Sequence, residues 1–365
     1  MYIWQHSEWP KMIWQDASFS SLLSEVNMLR GQLLGIVSMF GFSEKNDVML
    51  HSLTQEIIHS AKIEGQELSR DSVRSSVARH LGLEYSGLPT PDHYTEGVVQ
   101  VMMDAIHHYA DALDEERLFT WHRALFPTGQ SGIHKIIVGA WRQGEGTMQV
   151  VSGAMGHEKV HFQAPDNDKV SMMMQQLLEW LNSNATSLDP IVKAAVAHLW
   201  FVTIHPFDDG NGRLCRTITE LMLSRADNTS QRYYSLSSEF LNHRKEYYQH
   251  LENAQKGDLD ITEWIRWFLE QMKCAIETSL KHTEAVVQKI HFWDKHKDTA
   301  LNERQRKVLN MLLDGFEGKL TSSKWYKICH CSQDTATRDL NDLIAKGIVR
   351  KNADGRNTSY ELNKD

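Results

Sequence analysis

The sequence has few of the features that mark a secreted protein. Among its 365 residues there are only four cysteines. Two of them, Cys329 and Cys331, flank His330, but the sequence lacks the second cysteine pair that would make this a convincing zinc signature. So few cysteines at this length favour reduced thiols, and we therefore expect a cytoplasmic protein.

Long apolar runs and an excess of basic residues are also missing. The first residues, MYIWQHSEWPKM, lack the basic and then apolar pattern of a signal peptide. The longest uncharged, apolar-rich run, from Gly31 to Phe42, is too short to span a bilayer. The net charge of −8 argues against a protein coated in nucleic acid or held on an anionic membrane by bulk charge. We expect no membrane partner.

What is present is the composition of an ordinary globular protein, with 41% hydrophobic and 24% charged residues. The length allows two or three domains. Apolar residues at helical spacing predict a mostly α-helical fold. The predicted helices cover 17–40, 44–64, from 69 or 71 to 82, 95–113, 168–183, 190–204, 211–226, 239–254 and 261–296. Two short β-type runs, MQVVS and KVHFQ, with a glycine-containing turn between them predict a hairpin.

The last 65 residues differ from the rest in charge and pattern. From Leu301 to Asp365 there are 12 Lys and Arg against 9 Asp and Glu, a net of +3 that leaves −11 for the remainder. Helical patterns at 302–314, 321–328 and 332–345 precede the strand-like runs IVRK and TSYEL, which predicts a winged helix-turn-helix. DNA binding and protein docking or dimerisation are both open for this module. The predicted domains are 1–92, 93–256, 257–300 and 301–365.

The stretch HPFDDGNGRLCR, residues 205–216, lies between two helical runs, AAVAHLWFV and RLCRTITELML. Two glycines in the short turn allow backbone N–H groups to approach a ligand closely. The following helix adds its free N–H groups and the positive end of its dipole, which together suit a phosphate. Arg213 and Arg216 project from one face of that helix, where two guanidinium groups can clamp a polyphosphate.

An acid and a base stand at the edge of this predicted phosphate site. A carboxylate such as Asp209 beside phosphates usually holds Mg²⁺. His205 follows the preceding helix, which Pro206 ends, and a histidine there can take a proton from an incoming hydroxyl group. The combination predicts phosphoryl or nucleotidyl transfer.

Two other interpretations of the sequence are possible. Any one of these residues alone is typical of a helix–loop–helix corner with surface charges, but the ordered set is not. The 19 histidines raise the alternative of a metal phosphohydrolase, with His107, His108 and Asp111 on one helix. The sequence contains no His-Asp dipeptide, which removes the commonest helical pattern of that class.

The stretch resembles the Fic motif, H-x-F-x-[DE]-G-N-G-R-x-x-R. It matches at every specified position, namely His205, Phe207, Asp209, Gly210, Asn211, Gly212, Arg213 and Arg216. GAWR followed by MQVVSG resembles the hairpin flap of that family, and EYYQHLENAQKGD resembles the helix that closes over the nucleotide base. The resemblance implies a mostly α-helical Fic-type domain with a β-hairpin flap.

The resemblance also implies an activity, the transfer of AMP from ATP to a protein hydroxyl with release of pyrophosphate. His205 would be the general base and Asp209 the ligand of Mg²⁺ or Mn²⁺. The other implied nucleotide-binding residues are Gly210, Asn211, Gly212, Arg213 and Arg216 at the phosphates, Val150, Val151, Ser152 and Gly153 in the flap, and Tyr247, Tyr248 and Gln255 near ribose and base. Gln255 departs from the asparagine of the family pattern. The related Doc toxins carry lysine where this chain has Gly212 and phosphorylate their targets, so the glycine favours AMP transfer.

A second motif lies in the predicted helix 44–64, which ends with SAKIEG and stops at Gly65. Glu64 in its last turn opposes the helix dipole, a broken local rule of the kind found at functional sites. Ser60, Glu64 and Gly65 match the inhibitory pattern [ST]-x-x-x-E-[GN] of Fic proteins. The match implies that Glu64 pairs with Arg216 in the place of the γ-phosphate of ATP.

The implied partners are ATP and a target protein carrying a Ser, Thr or Tyr hydroxyl, either another protein or the chain itself. Removal of AMP from the modified target is a second activity that stays open. Inhibition within one chain and inhibition across a homodimer are both open. The alternative function is a nucleotide-sensing, DNA-binding regulator, although binding alone does not require His205.

Overall fold

The computed structural model describes residues 1–83, 89–144, 147–152, 159–183, 188–313, 315–316, 318–352 and 358–363. The described residues are mostly helical, as the sequence predicts. The chain divides into two compact units, Met1–Leu280 and Lys281–Asp365. Among the described residues, no helix is both long and apolar enough to cross a bilayer. The four domain boundaries drawn from the sequence stay predictions.

The first unit contains a series of helices and two small hairpins. The helices are α1 (Ser20–Ser38), α2 (Phe42–Ile63), α3 (Arg70–His80), α4 (His93–His107), α5 (Glu115–Leu125), α6 (Asn167–Asn182), α7 (Pro190–Ile204), α8 (Asn211–Asp227), α9 (Leu236–Asn242) and α10 (Arg244–Lys256). The strands are β1 (Gln130–Ser131), β2 (His134–Lys135), β3 (Gln149–Ser152) and β4 (Lys159–Gln163). A long helix, α11 (Thr262–Lys295), follows α10, and the division between the two units falls within it.

The centre of the first unit is α7, which is buried at every position from Ile191 to Ile204. Its sequence is apolar on all sides, which is typical of a helix enclosed by others. The one charged side chain, Lys193, donates hydrogen bonds to the carbonyl oxygens of Leu181 and Ser183. The helix packs most extensively on α8, and the motif residues connect these two helices. The motif is therefore fixed between two core elements.

Helix α2 is held against α9 by a buried carboxylate. Glu56 is 1% exposed and accepts hydrogen bonds from the hydroxyls of Ser235 and Ser237 and from the amide of Ser237. A carboxylate at the first turn of a helix satisfies free N–H groups and complements the dipole. Gly65 then takes a left-handed conformation, φ +75°, and ends α2 as predicted.

Three helical features differ from the prediction, the first being that α4 ends at His107 and does not continue to 113. The predicted helix 239–254 consists of two helices, α9 and α10, which meet at His243. Ser235 caps α9 through the amide of Ser238, so this helix begins before the predicted start. Helix α5 was not predicted, although Asp114 is a good N-cap and accepts a hydrogen bond from the amide of Arg117.

The predicted hairpin is present. Strands β3 and β4 pair antiparallel, with Gln149 opposite Gln163 and Ser152 opposite Lys159. The register shifts between Val150 and Val151, which is a bulge that increases the local twist.

The second unit has the order of elements that the sequence predicts. Helices α12 (Glu303–Leu313), α13 (Ser322–Cys329) and α14 (Gln333–Ala345) precede the antiparallel strands β5 (Val349–Lys351) and β6 (Tyr360–Leu362). An isolated antiparallel bridge pairs Leu320 with Tyr360. The hydrophobic core of the second unit consists of Val308, Leu309, Leu320, Trp325, Ala336, Leu340, Leu343, Ile348 and Val349. The winged-helix assignment itself stays a prediction.

Candidate active site

The motif residues form a tight corner between α7 and α8. His205 follows the last residue of α7 in a left-handed conformation, φ 52° and ψ 58°. Gly210 precedes α8 and is also left-handed, with φ +83°. A Cβ atom on Gly210 would lie 2.8 Å from Cε2 of Phe126, which is too close for any other residue. The glycine therefore allows both the turn and the close packing.

The side chain of Asn211 holds the corner closed. Its Oδ1 accepts from the Phe207 amide at 3.0 Å, and its Nδ2 donates to the Phe207 carbonyl at 2.8 Å. Asn211 is 2% exposed. The Phe207 ring is fully buried and stacks on His122, with ring centroids 4.1 Å apart. The side chain of Asn211 thus shapes the loop, and its backbone lies at the start of α8, where amides are free to bind an anion.

His205 presents one nitrogen as a base. Its Nδ1 lies 3.3 Å from the carbonyl oxygen of Val202, which can only accept, so Nδ1 carries the proton. Nε2 therefore holds the lone pair. Burial lowers the pKa of His205 to about 4, which keeps the ring neutral near pH 7. This is the protonation state that a general base requires.

A buried arginine that was not singled out from the sequence supports His205. Nε of Arg142 donates to the His205 carbonyl at 2.8 Å, and the Arg142 amide donates to the Pro206 carbonyl at 2.9 Å. Its guanidinium also bonds to Pro165 and Asn167, just before and at the start of α6. Arg142 is 3% exposed. Arg142 belongs to the GAWR segment. Nothing in the neighbouring sequence indicates that it bonds to His205, which is 63 positions later.

His122 was likewise missed, and it supports Asp209. The Gly139 amide donates to Nδ1 of His122 at 3.1 Å, so Nε2 carries the proton and donates to the Asp209 carbonyl at 3.1 Å. Burial lowers the pKa of His122 to about 4. The neutral ring therefore acts as a fixed bridge between the segment before the flap and the motif.

The carboxylate of Asp209 has the chemistry of a single-carboxylate metal ligand. It is partly exposed, and its two oxygens accept one hydrogen bond each, from the Gly210 amide and from the Ser131 hydroxyl. Each oxygen keeps a further lone pair. Among the described residues, no group of three or more His, Cys, Asp or Glu side chains is arranged to hold a metal ion. One carboxylate fits Mg²⁺, which takes its remaining ligands from phosphates and water.

The first motif arginine, Arg213, is held by an aromatic pair. Nη1 donates to the hydroxyl of Tyr94 at 2.8 Å, and the guanidinium lies over the Phe126 ring, 4.8 Å from its centroid. The Tyr94 hydroxyl donates in turn to Gln66, two residues beyond Glu64. Nε of Arg213 is buried and has no hydrogen-bond partner among the described groups. The site therefore leaves an N–H donor unsatisfied.

The second motif arginine, Arg216, is bonded to the end of α2. Nε donates to the Ser60 hydroxyl at 2.9 Å, and Nη2 donates to the Ser60 carbonyl and to Oε1 of Glu64, both at 2.8 Å. The Arg216 side chain is 2% exposed and that of Glu64 is 32% exposed. Burial lowers the pKa of this arginine, but the nearby carboxylate of Glu64 and other neighbouring groups outweigh that effect and raise the pKa above its ordinary value, so the guanidinium stays charged. The contact that the resemblance implies is present within one chain.

The absence of a side chain at position 212 makes this ion pair possible. A Cβ atom on Gly212 would lie 2.9 Å from Cδ of Glu64 and would overlap its carboxylate oxygen. Glu64 therefore reaches over the backbone of the first turn of α8, where a phosphate would bind.

The three predicted base-binding residues differ in how far their side chains are exposed. Tyr247 is 1% exposed, and its hydroxyl is 2.9 Å from Nε2 of His198. Gln255 is also buried, with Nε2 3.4 Å from the Thr203 hydroxyl. Tyr248 is 39% exposed and lies near the end of α2, with its hydroxyl 3.4 Å from the Ile63 carbonyl. Of the three, Tyr248 offers the most accessible surface.

The predicted flap residues lie on the hairpin. Val150 and Val151 belong to β3, with Val151 48% exposed, and the backbone of Ser152 ends this strand. Gly153 lies outside the described residues. On β4, Nδ1 of His161 lies 2.8 Å from a carboxylate oxygen of Glu252 on α10. The hairpin is thus joined to the helix that carries Tyr247 and Gln255.

The site lies in an α-helical domain, at the N-terminus of α8. It contains the neutral imidazole of His205, the carboxylate of Asp209, which could bind a metal ion, and two arginines, Arg213 and Arg216. These features are typical of a site that binds nucleotides or other polyphosphates. Residues 112–223 match the Fic/DOC family model. The chain therefore contains a Fic domain. Residues 2–83 match a further family model, a domain of unknown function (DUF4172).

Curated relatives carry the name protein adenylyltransferase Fic. The protein of Aedes aegypti is 30% identical over 212 residues, which are 56% of this chain and 38% of the relative. That of Drosophila mojavensis is 27% identical over 240 residues, which are 65% of this chain and 43% of the relative. This chain thus spans about two-fifths of the length of these relatives.

Solved Fic structures share the fold. A crystal structure of a Fic family protein from Desulfovibrio desulfuricans G20 has a TM-score of 0.55 at 20% identity, covering 95% of this chain and 96% of that one. Fic-1 (residues 134–508) from C. elegans has a TM-score of 0.52 at 22% identity and covers 74% of each chain. At these identities the comparison supports the fold alone.

Proposed function

We propose that this chain is an autoinhibited protein adenylyltransferase that transfers AMP from ATP to a hydroxyl group of a protein. The observation that carries the proposal is the arrangement of His205, Asp209, Arg213 and Arg216 around the N-terminus of α8 within a Fic domain. The names of the curated relatives support the same activity.

The proposed reaction begins with a proton transfer to His205. Nε2 accepts the proton of the target hydroxyl. The oxygen of that hydroxyl then forms a bond to the α-phosphorus of ATP. The bond from that phosphorus to the bridging oxygen breaks, and pyrophosphate leaves with the electron pair. The backbone amides at the start of α8 and the side chains of Arg213 and Arg216 bind the phosphates. Mg²⁺ or Mn²⁺ held by Asp209 would neutralise the charge that develops on pyrophosphate.

Glu64 is proposed to suppress this reaction. Its carboxylate accepts a hydrogen bond from Nη2 of Arg216, and Ser60 accepts two further hydrogen bonds from the same guanidinium. A terminal phosphate that needs Arg216 must displace Glu64 first. Because the contact joins two residues of one chain, we propose inhibition within the chain.

Labelled ATP distinguishes AMP transfer from phosphoryl transfer and from nucleotide binding without transfer. The wild type and the variants Glu64→Gly and His205→Ala are incubated with a cell lysate and either α-³²P-ATP or γ-³²P-ATP. Relative to the lysate without added protein, we expect extra labelling from the α-label only, at least tenfold higher in Glu64→Gly than in the wild type, and absent in His205→Ala. Glu67→Gly is the matched control, because Glu67 is an exposed acidic residue in the same segment and should leave labelling unchanged.

Three results would contradict the proposal. Labelling from γ-³²P-ATP would indicate phosphoryl transfer. Equal labelling in the wild type, Glu64→Gly and Glu67→Gly would remove the inhibitory role of Glu64. Binding of ATP without labelling in Glu64→Gly would favour a nucleotide sensor instead of an enzyme.

A further inference from the structure

Helix α14 in the second unit presents a polar face that the core does not use. Ala336, Leu340 and Leu343 are fully buried, and the opposite side of the helix is exposed. The side chains of that exposed side include Gln333, Thr337, Arg338 and Asn341. Amide, hydroxyl and guanidinium groups at this spacing share one surface of a helix. These are the side-chain types that read base edges in DNA.

Two acidic residues that would weaken such a surface are bonded inside the module. Asp339 is 6% exposed and accepts from Arg304 at 2.7 and 3.1 Å and from Asn302 at 2.9 Å. Asp342 accepts from Gln305 at 2.8 Å and from Lys346. The charge of Asp339 is therefore paired with Arg304 on α12, and that of Asp342 with Lys346 at the end of α14. Asp334 in the first turn is the remaining carboxylate of this helix.

The geometry of the module suits insertion of α14 into a groove. His330 takes a left-handed conformation, φ 48°, and ends α13 three residues before α14 begins. The amide of Tyr360 donates to the Leu320 carbonyl at 2.9 Å, which adds a short third segment to β5 and β6. Three helices and such a sheet form the framework in which a second, recognition helix enters the major groove.

The charge of the module complements a polyanion. Residues 301–365 carry 12 Lys and Arg against 9 Asp and Glu, whereas the whole chain has a net charge of −8. Lys324 and Lys327 on α13 are exposed, as is Arg338 on α14. In a helix-turn-helix, the first helix crosses the phosphate backbone while the second contacts bases. The basic side chains thus lie on the two helices that would face DNA.

We propose that the module formed by α12, α13, α14, β5 and β6 binds double-stranded DNA through the exposed face of α14. Arg338 and Asn341 contact base edges, and Lys327 contacts a phosphate. Guanidinium and carboxamide groups recognise guanine and adenine, respectively, in the major groove. This binding is independent of the proposed AMP transfer.

Fluorescence anisotropy of the full chain tests the proposal. The probe is a fluorescein-labelled pool of 30-base-pair duplexes with a random central sequence, measured at 50 and 200 mM salt. We expect saturable binding that weakens at least tenfold between the two salt concentrations. Arg338→Ala should weaken binding at least tenfold, and Arg338→Lys should also weaken it, because lysine lacks the planar pair of donors.

A matched control separates this surface from general electrostatics. Arg266 on α11 is also exposed, so Arg266→Ala removes the same charge elsewhere and should change the affinity less than twofold. Sequencing of duplexes selected by the wild type should show a preferred base that Asn341→Ala no longer selects. Absence of binding at 50 mM salt would overturn the proposal, as would equal losses in Arg338→Ala and Arg266→Ala. Formation of a homodimer that Arg338→Ala disrupts, without DNA binding, would assign the surface to protein docking instead.

Discussion

Arg142 shows how much of the site depends on a residue outside the motif. The motif supplies His205, but the carbonyl groups of His205 and Pro206 both accept hydrogen bonds from Arg142. The left-handed conformation of His205 is uncommon for a residue other than glycine and requires support from its surroundings. Arg142 provides that support, so we regard it as a positioning residue.

Replacing Arg142 should impair the reaction more than the binding of ATP. In a Glu64→Gly background, Arg142→Lys should lower kcat about tenfold or more, because a base displaced by about 1 Å loses its alignment with the hydroxyl. The KM for ATP should change less than threefold, since the phosphate-binding groups are elsewhere. Steady-state kinetics at several ATP concentrations measure both values. Arg266→Lys is the control. A rise in the KM of Arg142→Lys as large as its fall in kcat would contradict the positioning role.

The motif residues could be found from sequence because the motif is local. Eight specified positions within twelve residues predict a phosphate site, and SAKIEG singles out Ser60 and Glu64, both of which contact Arg216 in the structure. Arg142 and His122 could not be found this way. Each is a single residue whose partner lies 63 or 87 positions away, and no periodic pattern reports such a pairing.

At the scale of elements, α2 depends on the buried carboxylate of Glu56. Three donors from Ser235 and Ser237 meet its two oxygens at the start of α9. Nδ1 of His59, three residues further along α2, lies 2.8 Å from the Ser238 hydroxyl. These contacts precede Ser60 and Glu64 in the chain, and they determine where the end of α2 that contacts Arg216 lies.

Glu56→Gln should therefore destabilise the protein. The amide group can accept with only one of its two terminal atoms, which leaves a buried donor opposite another donor and costs about 1–3 kcal/mol. Urea unfolding followed by circular dichroism measures the change. Glu67→Gln, at an exposed position after α2, should stay within about 0.5 kcal/mol of the wild type. Equal stabilities of the two variants would show that Glu56 does not anchor α2.

Helical periodicity predicted most elements because long amphipathic or apolar helices leave a strong pattern. The separate helices α9 and α10 were not distinguished, because the apolar spacing continues through the break at His243. The start of α9 depends on Ser235, which bonds to Glu56, 179 positions earlier in the chain. Helix α5 was missed because only about two turns carry its apolar pattern, from Leu118 to Leu125.

At the scale of the molecule, the N-terminal region belongs to the same compact unit as the Fic domain. Nε1 of Trp4 donates to the Gln163 carbonyl at the end of β4 at 2.8 Å. Nε of Arg30 lies 3.0 Å from the Asp227 carboxylate at the end of α8. The region that matches the domain of unknown function therefore touches both the flap and the helix that carries the arginines.

Buried neutral histidines should make the stability of this unit sensitive to mild acid. His198 is fully buried between the hydroxyls of Thr219 and Tyr247, and burial lowers its pKa from 6.5 to about 3. The unfolded chain binds a proton near pH 6.5 that the folded chain excludes, so stability is lost as the pH falls from about 6.5 towards 3. One such group lowers the free energy of unfolding by about 2 kcal/mol between pH 7 and pH 5.

The variant His198→Gln isolates this contribution. Glutamine does not titrate, so the difference in unfolding free energy between pH 7 and pH 5 should shrink by about 2 kcal/mol relative to the wild type. Urea unfolding at both pH values measures it. The variant will be less stable at pH 7, which does not affect the comparison, and an unchanged pH dependence would contradict the assignment.

The space above Gly212 also constrains how this chain can change over evolutionary time. The Glu64 carboxylate lies where any side chain at position 212 would begin. A substitution at 212 that arises first must expel Glu64 from its contact with Arg216, whereas loss of Glu64 first leaves position 212 open to larger residues. The two positions are therefore epistatic, and a lineage that acquires a side chain at position 212 must give up the ion pair between Glu64 and Arg216.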